Sequence, residues 1–377
     1  MREWTPELLA EMRRTGDPLA DATLLRAMER RDVPRINAIF RSFAAEDVQV
    51  PADAPQEFLD FLRDTHQLPV GIDRPRVARG AQVMLENATL CALVLLLKSL
   101  PSGYAAPRLA DVLHLSHNLE KRPYRRALGV LQMLVNISRP GAFTEGGAAV
   151  VTGQKLRLLH AGVRHVVRTR VPEFEQRFGT PISQLDLTFT LMTFSLMVIE
   201  GLATLGIHWD EEQAGDYFHM WQAYGQLQGI RPEWMPQTLD EGRAFCAAYA
   251  REFAAAADNP SGVALTLADL DMMRRLVPWP LRLLGLGSAP RVYLLRLLGE
   301  EAAARVGVVR TAGHRWTELL AMRLPVLWQH LWQALEPERE AHDRVARLFF
   351  NTLIEGAWGS EVRFSVPENL RDLRKLA

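Results

Sequence analysis

From Leu185 to Leu205 the sequence is apolar on every side of a helix. Leu187, Phe189, Leu191, Met192, Phe194, Leu196, Met197, Val198 and Ile199 fill it, and Asp186 and Glu200 are its only charges. Such a helix cannot lie on a protein surface; it belongs at the centre of a bundle or in a bilayer. About 21 residues would satisfy either. Thr188, Thr190, Thr193 and Ser195 put hydroxyls along it, which favours a core helix lining a polar-spotted cavity over a membrane span.

A central helix of this kind needs other helices around it, and helix signals dominate the chain. Thr5-Pro6-Glu7 is an N-cap followed by proline at the first helical position. Thr238-Leu239-Asp240-Glu241 is a capping box that opens an alanine-rich helix running to about Ala257. Asp258 to Gly262 stops that helix, and Thr266-Leu267-Ala268-Asp269 opens the next. Strand-like alternation is scarce, with Ala148 to Thr152 the one short stretch that could be extended. The fold class expected is therefore all-α. It is a large single-domain helical bundle over residues 1–377, with a core at about 70–260 and 276–377 as a peripheral helical subdomain. The turn-rich loop from Arg139-Pro140-Gly141 to Gly147 joins two apolar helices.

Composition removes several function classes. Lys plus Arg equals Asp plus Glu at 44 each, so the chain lacks the net positive charge of a general nucleic-acid binder. Its two cysteines, Cys91 and Cys246, sit far apart in apolar helical surroundings, which excludes a CxxC redox or thiolate metal motif. The N-terminus, Met1 to Pro18, is charged and lacks the apolar stretch of a signal peptide. Leu90 to Leu97 is too short to span a bilayer. These features lead to the expectation of a cytoplasmic protein without a membrane span.

No Walker A loop, GxSxG elbow, HExxH or ExxH pair is present. Gly285-Leu286-Gly287 follows an apolar helix pattern rather than a strand, so it carries no dinucleotide signal. His114 and His117 could share a helix face, but few other ligands surround them. His160 differs from the other histidines. Arg157 precedes it by three residues and Arg164 follows by four, so all three share one helix face. Ala161 and Gly162 are small and would let a flat group or another backbone come close. One helical histidine in an apolar wall can hold haem iron, with arginines suited to the two propionates. A core histidine flanked by solvated arginines has the same spacing, and spacing leaves both readings open. Tyr124 to Val135 is a second apolar helix with a cationic start, Arg125-Arg126. Arginine there opposes the helix dipole, so it calls either for an anionic partner or for solvent.

Taken in order, these segments resemble the family of latex clearing proteins (bacterial rubber oxygenases) and MpaB-type oxygenases. The residues that carry the resemblance begin with Arg126, Pro140-Gly141 and Gly146-Gly147. They continue with Arg157-Leu158-Leu159-His160-Ala161-Gly162-Val163-Arg164 and Pro181-Ile182-Ser183-Gln184. Thr193-Phe194-Ser195, Leu202 with Leu205-Gly206-Ile207, and Tyr217, Trp221, Gly225 and Gly229 complete the series. The resemblance implies haem b, with His160 as the proximal iron ligand and Arg126 as a catalytic residue in the haem pocket. Arg157 and Arg164 then take propionate or pocket roles, Val130 and Met133 form an apolar distal wall, and Thr193, Phe194 and Met197 a second wall. The implied reaction is oxygenation of an apolar small molecule by dioxygen, with oxidative C=C cleavage as the family's chemistry.

Two departures stand out. Gly129 and Val130 occupy the positions of a lysine and a threonine in rubber oxygenases, and Leu109-Ala110-Asp111 holds no glutamate to match their base. Another haem-dependent oxidation (dehydrogenation, hydroxylation or a peroxide-driven reaction) and a non-catalytic haem-binding or sensor protein therefore stand as alternatives.

Overall fold

Several helices start where a capping side chain precedes a proline. The Thr5 hydroxyl accepts a hydrogen bond from the Leu8 amide at 3.3 Å and opens α1 (Pro6–Arg14). Asp17 accepts from the Ala20 amide at 3.2 Å and opens α2 (Pro18–Glu29). Then come α3 (Val33–Ser42), α4 (Gln56–Asp64), α5 (Arg74–Glu86) and α6 (Ala88–Val94). A π-helical turn at Leu95–Ser99 leads into α7 (Leu100–Tyr104). α8 (Pro107–Leu115) and α9 (Pro123–Ser138) precede α10 (Ala148–Arg170), which has 23 residues. α11 (Pro172–Phe178), α12 (Gln184–Phe194), α13 (Leu196–Thr204) and α14 (Glu211–Leu227) follow. The last are α15 (Leu239–Arg251), α16 (Pro260–Leu276), α17 (Ala289–Leu298) and α18 (Glu300–Arg305).

This computed structural model describes residues 2–42, 54–68, 71–115, 123–251, 258–277 and 286–311, with 279, 282 and 323 singly. For residues 40–42 and 123–128 it describes only the helical path. No strand occurs among the described residues, and the fold is a single all-α domain, as expected.

Three local expectations change. Ala148–Thr152, compatible with an extended strand in sequence, forms the first turns of α10 because Gly147 and the turn before it supply a helix start. The segment Asp258–Gly262 also starts a helix: Asp258 and Asn259 are non-helical, Asn259 accepts from the Gly262 amide at 3.1 Å, and Thr266, expected to open the next helix, lies inside α16; the expected end of the preceding helix at Ala257 lies outside the described residues. The apolar stretch Leu185–Leu205 is two helices, α12 and α13, broken at Ser195 (φ −102°, ψ −83°).

That break frees two carbonyls deep in the core, where each needs a donor. The Ser99 hydroxyl donates to the Thr193 carbonyl at 2.5 Å, and the Tyr217 hydroxyl donates to the Phe194 carbonyl at 2.8 Å. Gln184–Thr204 keeps the length and apolarity of a membrane span, but 67% of its most apolar window is buried inside the protein. It therefore serves as the axis of the bundle. α1, α6, the π-helical turn, α7, α14, α15 and α17 pack around it in one core cluster that includes Leu191, Met192, Trp221, Phe245 and Leu294. A Cβ at Gly80 would lie 2.4 Å from the Asp216 carbonyl oxygen, so glycine is what lets α5 press against α14. Val292, Leu294 and Leu295 of α17 are buried, which ties 289–298 into the main packing. A second cluster joins Ala20, Leu24, Phe58 and Phe61 of α2 and α4 to Leu158 and Ala161 of α10.

Removing the Tyr217 hydroxyl should orphan the Phe194 carbonyl in the core. Tyr217→Phe is expected to lower stability by about 1–3 kcal/mol, read as a lower urea midpoint at unchanged slope.

Candidate functional site

Twenty-three residues make α10 about 35 Å long, and His160 sits near its middle. Gly147, in extended backbone (ψ 167°), precedes the first turn, and Val171 with Pro172 ends the helix. The face that carries His160 also carries Arg157 and Arg164. Arg157 Nε and Nη2 donate to the Asp17 carboxylate at 2.7 and 2.9 Å, and its guanidinium lies 5.6 Å from the Phe61 ring centroid. Arg164 Nε donates to Asp21 at 2.8 Å and Nη1 to the Ile182 carbonyl at 3.0 Å. Arg164 Nη2 is buried with no partner among the described residues. Both arginines, suggested by spacing as partners for a cofactor's carboxylates, are thus paired first with carboxylates of α2. Arg164 alone keeps a buried donor to offer. Burial lifts the Asp21 carboxyl above its ordinary value despite the attraction of Arg164.

Ala161 admits a helix rather than a flat group. It is buried with Leu158 against α2 and α4. The opposite flank of α10 meets α9, where Asn136 Nδ2 donates to Thr152 Oγ1 at 3.1 Å. The chain reverses between these helices. Eight residues onward from Thr152 and eight back from Asn136, about 12 Å along each axis, His160 is level with residues 128–129. A Cβ built on Gly129 meets nothing within 4 Å among the described residues. His160 itself is crowded by protein and still keeps accessible surface.

The chemistry of His160 follows from that position. Desolvation, then the nearby Arg164 charge, pulls its pKa from 6.5 down to about 4, with Asp17 opposing. At neutral pH the ring is uncharged and has a lone pair to donate. Its Nδ1 is buried and without a hydrogen-bond partner among the described residues. No group of three or more His, Cys, Asp or Glu side chains able to hold a metal occurs among the described residues. A single imidazole is a sufficient protein donor when a macrocycle supplies four more ligands. The residues present therefore suit an iron porphyrin better than a metal held by side chains alone.

The other residues singled out in the sequence divide. Met133 and Phe194 are buried in the main core, while Val130 and Met197 pack against it and keep some surface. The Thr193 hydroxyl donates to the Thr190 carbonyl at 2.8 Å, and Phe194 packs on Trp221 at 5.2 Å between centroids. Those two are held by the α12 terminus. Arg126 lies in the described path of α9, and its side chain lies outside the described residues. His117 lies outside them too, and His114 lies in the last turn of α8. Cys91 is buried and Cys246 largely so, with burial pushing the Cys246 thiol up to about 12, so neither is a nucleophile at neutral pH.

Asp17, Asp21 and Gln184 touch the arginine pairs or the loops beside them, and their role was not visible in the sequence. Asp17-Pro18 reads as a helix start, but nothing local joins it to an arginine 140 positions on.

Comparison with known proteins bears on the same region. The profile of the family described as ER-bound oxygenase mpaB/B'/rubber oxygenase, catalytic domain, matches residues 76–335. The rubber oxygenase of Streptomyces sp. (strain K30) is 26% identical over 231 residues, which are 60% of this chain and 56% of that protein. The match thus spans little more than half of that relative's length. The structure of latex clearing protein LCP in the closed state superposes with a TM-score of 0.74 at 22% identity, covering 94% of each chain. At that identity the likeness speaks for the fold.

The depressed pKa of His160 has a signed consequence for ligand-free protein. As pH falls below 6.5 the unfolded chain takes up the proton first, so stability is lost from there down through about 4, where the loss levels off. His160→Gln should abolish this part of the acid sensitivity, worth roughly 2–3 kcal/mol. Urea midpoints of the two proteins at about pH 7 and about pH 4.5 measure it.

Proposed function

Because the chain belongs to the family of ER-bound MpaB and rubber oxygenase catalytic domains, we propose that it is a haem b-dependent oxygenase. Its substrates in this reading are dioxygen and an apolar small molecule, with oxidative C=C cleavage as the reaction. The observation that carries it is His160: a neutral, partly accessible imidazole in a crowded interior, with a buried nitrogen that has no partner among the described residues.

In this reading His160 holds the iron and needs no deprotonation to do so at neutral pH. Haem b, when bound, supplies the metal at which dioxygen is activated. Arg157 holds α10 against α2 through Nε and Nη2. Arg164 does the same through Asp21, and its remaining Nη2 donor suits a propionate. Arg126 is the proposed catalytic cation at the start of α9. Gly129, Val130 and Met133 bring no donor to the opposite wall, so that wall selects for apolar ligands and excludes water. Thr193 already donates its hydroxyl proton, which leaves only its oxygen lone pairs for a ligand. Asp111, the acid in the stretch where rubber oxygenases carry a base, accepts the Ser261 hydroxyl at 2.6 Å and is engaged in holding α8 to α16.

The lack of polar groups at Gly129 and Val130 favours a second reading, a haem-dependent oxidation other than C=C cleavage. Product analysis with dioxygen against peroxide separates the two. The central test is spectroscopic. Protein purified with adequate haem supply should show a Soret band, and His160→Ala should lose it or shift it strongly. Colourless wild-type protein would reject the proposal.

A further inference from the structure

Residues 1–75 lie outside the family match, yet two of their carboxylates reach the His160 helix. Asp17, 4% exposed, caps α2 and takes two hydrogen bonds from Arg157. Asp21, one turn on, pairs with Arg164. The first turn of α2 therefore grips α10 one turn before and one turn after His160.

A knot of main chain is built beneath this grip. Gln184, 1% exposed, donates from Nε2 to the Gly16 carbonyl at 3.0 Å and the Gly229 carbonyl at 2.9 Å. Its Oε1 accepts from the Arg231 amide at 3.0 Å, and its own amide donates to the Thr15 carbonyl at 2.7 Å. Gly229 has φ +82°, and a Cβ there would lie 2.8 Å from both Arg157 Nε and Asp17 Oδ2. Ile182, a β-branched residue at φ 49°, presents its carbonyl to Arg164. A residue in that region persists only where its surroundings enforce it.

Buried ion pairs are weak stabilisers relative to apolar packing, but their directional bonds fix register. A histidine that ligates a metal ordinarily has its ring aimed by a hydrogen bond from the second nitrogen, and His160 Nδ1 has no such partner among the described residues. Its aim is then set by where α10 sits. We propose that Asp17 and Gln184 are positioning residues for His160, so that α2, outside the family match, is a working part of the site. This rests on the haem reading above.

The test uses full-length protein as wild type, Asp17→Asn, Gln184→Ala and Asp216→Asn. Asparagine still caps α2, so Asp17→Asn removes the charge pairing and spares the cap. Asp216→Asn breaks another buried arginine pairing, to Arg76 and Arg79. It lies about three turns along α14 from the Leu227 contact with α10, and it controls for general destabilisation. Hydrogen exchange is measured on ligand-free protein, and absorption and electron paramagnetic resonance spectra on haem-reconstituted protein. Asp17→Asn and Gln184→Ala should speed exchange across 153–170 by about tenfold and change the haem spectra, whereas Asp216→Asn should do neither. Spectra and exchange that match wild type in the first two variants, or equal changes in Asp216→Asn, would overturn the proposal. Wild type that takes up no haem removes the haem reading, and the exchange data still decide whether Asp17 and Gln184 hold the His160 helix. If Asp17→Asn does not fold, Arg157→Lys replaces it, keeping the charge and losing the two-point geometry, and the same outcomes decide.

Discussion

Two ion pairs set the register of α10 on α2, over an apolar contact made by Leu158 and Ala161. Desolvating an arginine and an aspartate costs several kcal/mol per ion, offset only by close geometry and additional hydrogen bonds. The Arg157–Asp17 pair has both: two short contacts, and the Ala20 amide on the same carboxylate. Three chain segments, around Gly16, Ile182 to Gln184, and Gly229 to Arg231, converge at this pair and at Arg164–Asp21. The position of His160 follows from that convergence. So does its neutrality, since burial and Arg164 suppress its proton more than Asp17 restores it.

The bundle axis is held by a related rule. An apolar helix that breaks in the core has to find donors for the carbonyls it releases, and Ser99 and Tyr217 provide them from two different neighbours. Ser99 ends a π-helical turn, a local irregularity that sets its side chain against α12. Thr193 and Phe194, candidates for a pocket wall, are thereby fixed in place by the break itself. Family membership and the position of His160 together carry the functional reading. In the proposed reading, Gly129 and Val130 are where the chain departs from rubber oxygenases, and that departure bears on the reaction rather than on the fold.

Much of this was legible before any coordinates. The Thr5 and Thr238 caps, proline at first helical positions and the all-round apolar segment announce helices, because capping and burial are local or compositional properties. The shared face of Arg157, His160 and Arg164 follows from the 3.6-residue period alone. The break at Ser195 was not legible, because its cost depends on donors 96 residues before it and 22 after. Asp258 to Gly262 carries both stop and start signals, and the Asn259 side chain settles them by bonding forward to Gly262 and across to the Tyr104 carbonyl.

Sequence by itself determined that this chain forms helices around a buried apolar axis, and that one histidine stands out on a face shared with two arginines. Periodicity and side-chain type suffice for that, since both act within a few residues. The tertiary structure decided what those arginines do. Their carboxylate partners lie 140 and 143 residues away on α2, and no local rule links segments so distant. Only the folded chain could show that the arginines hold the helix before they can serve a ligand.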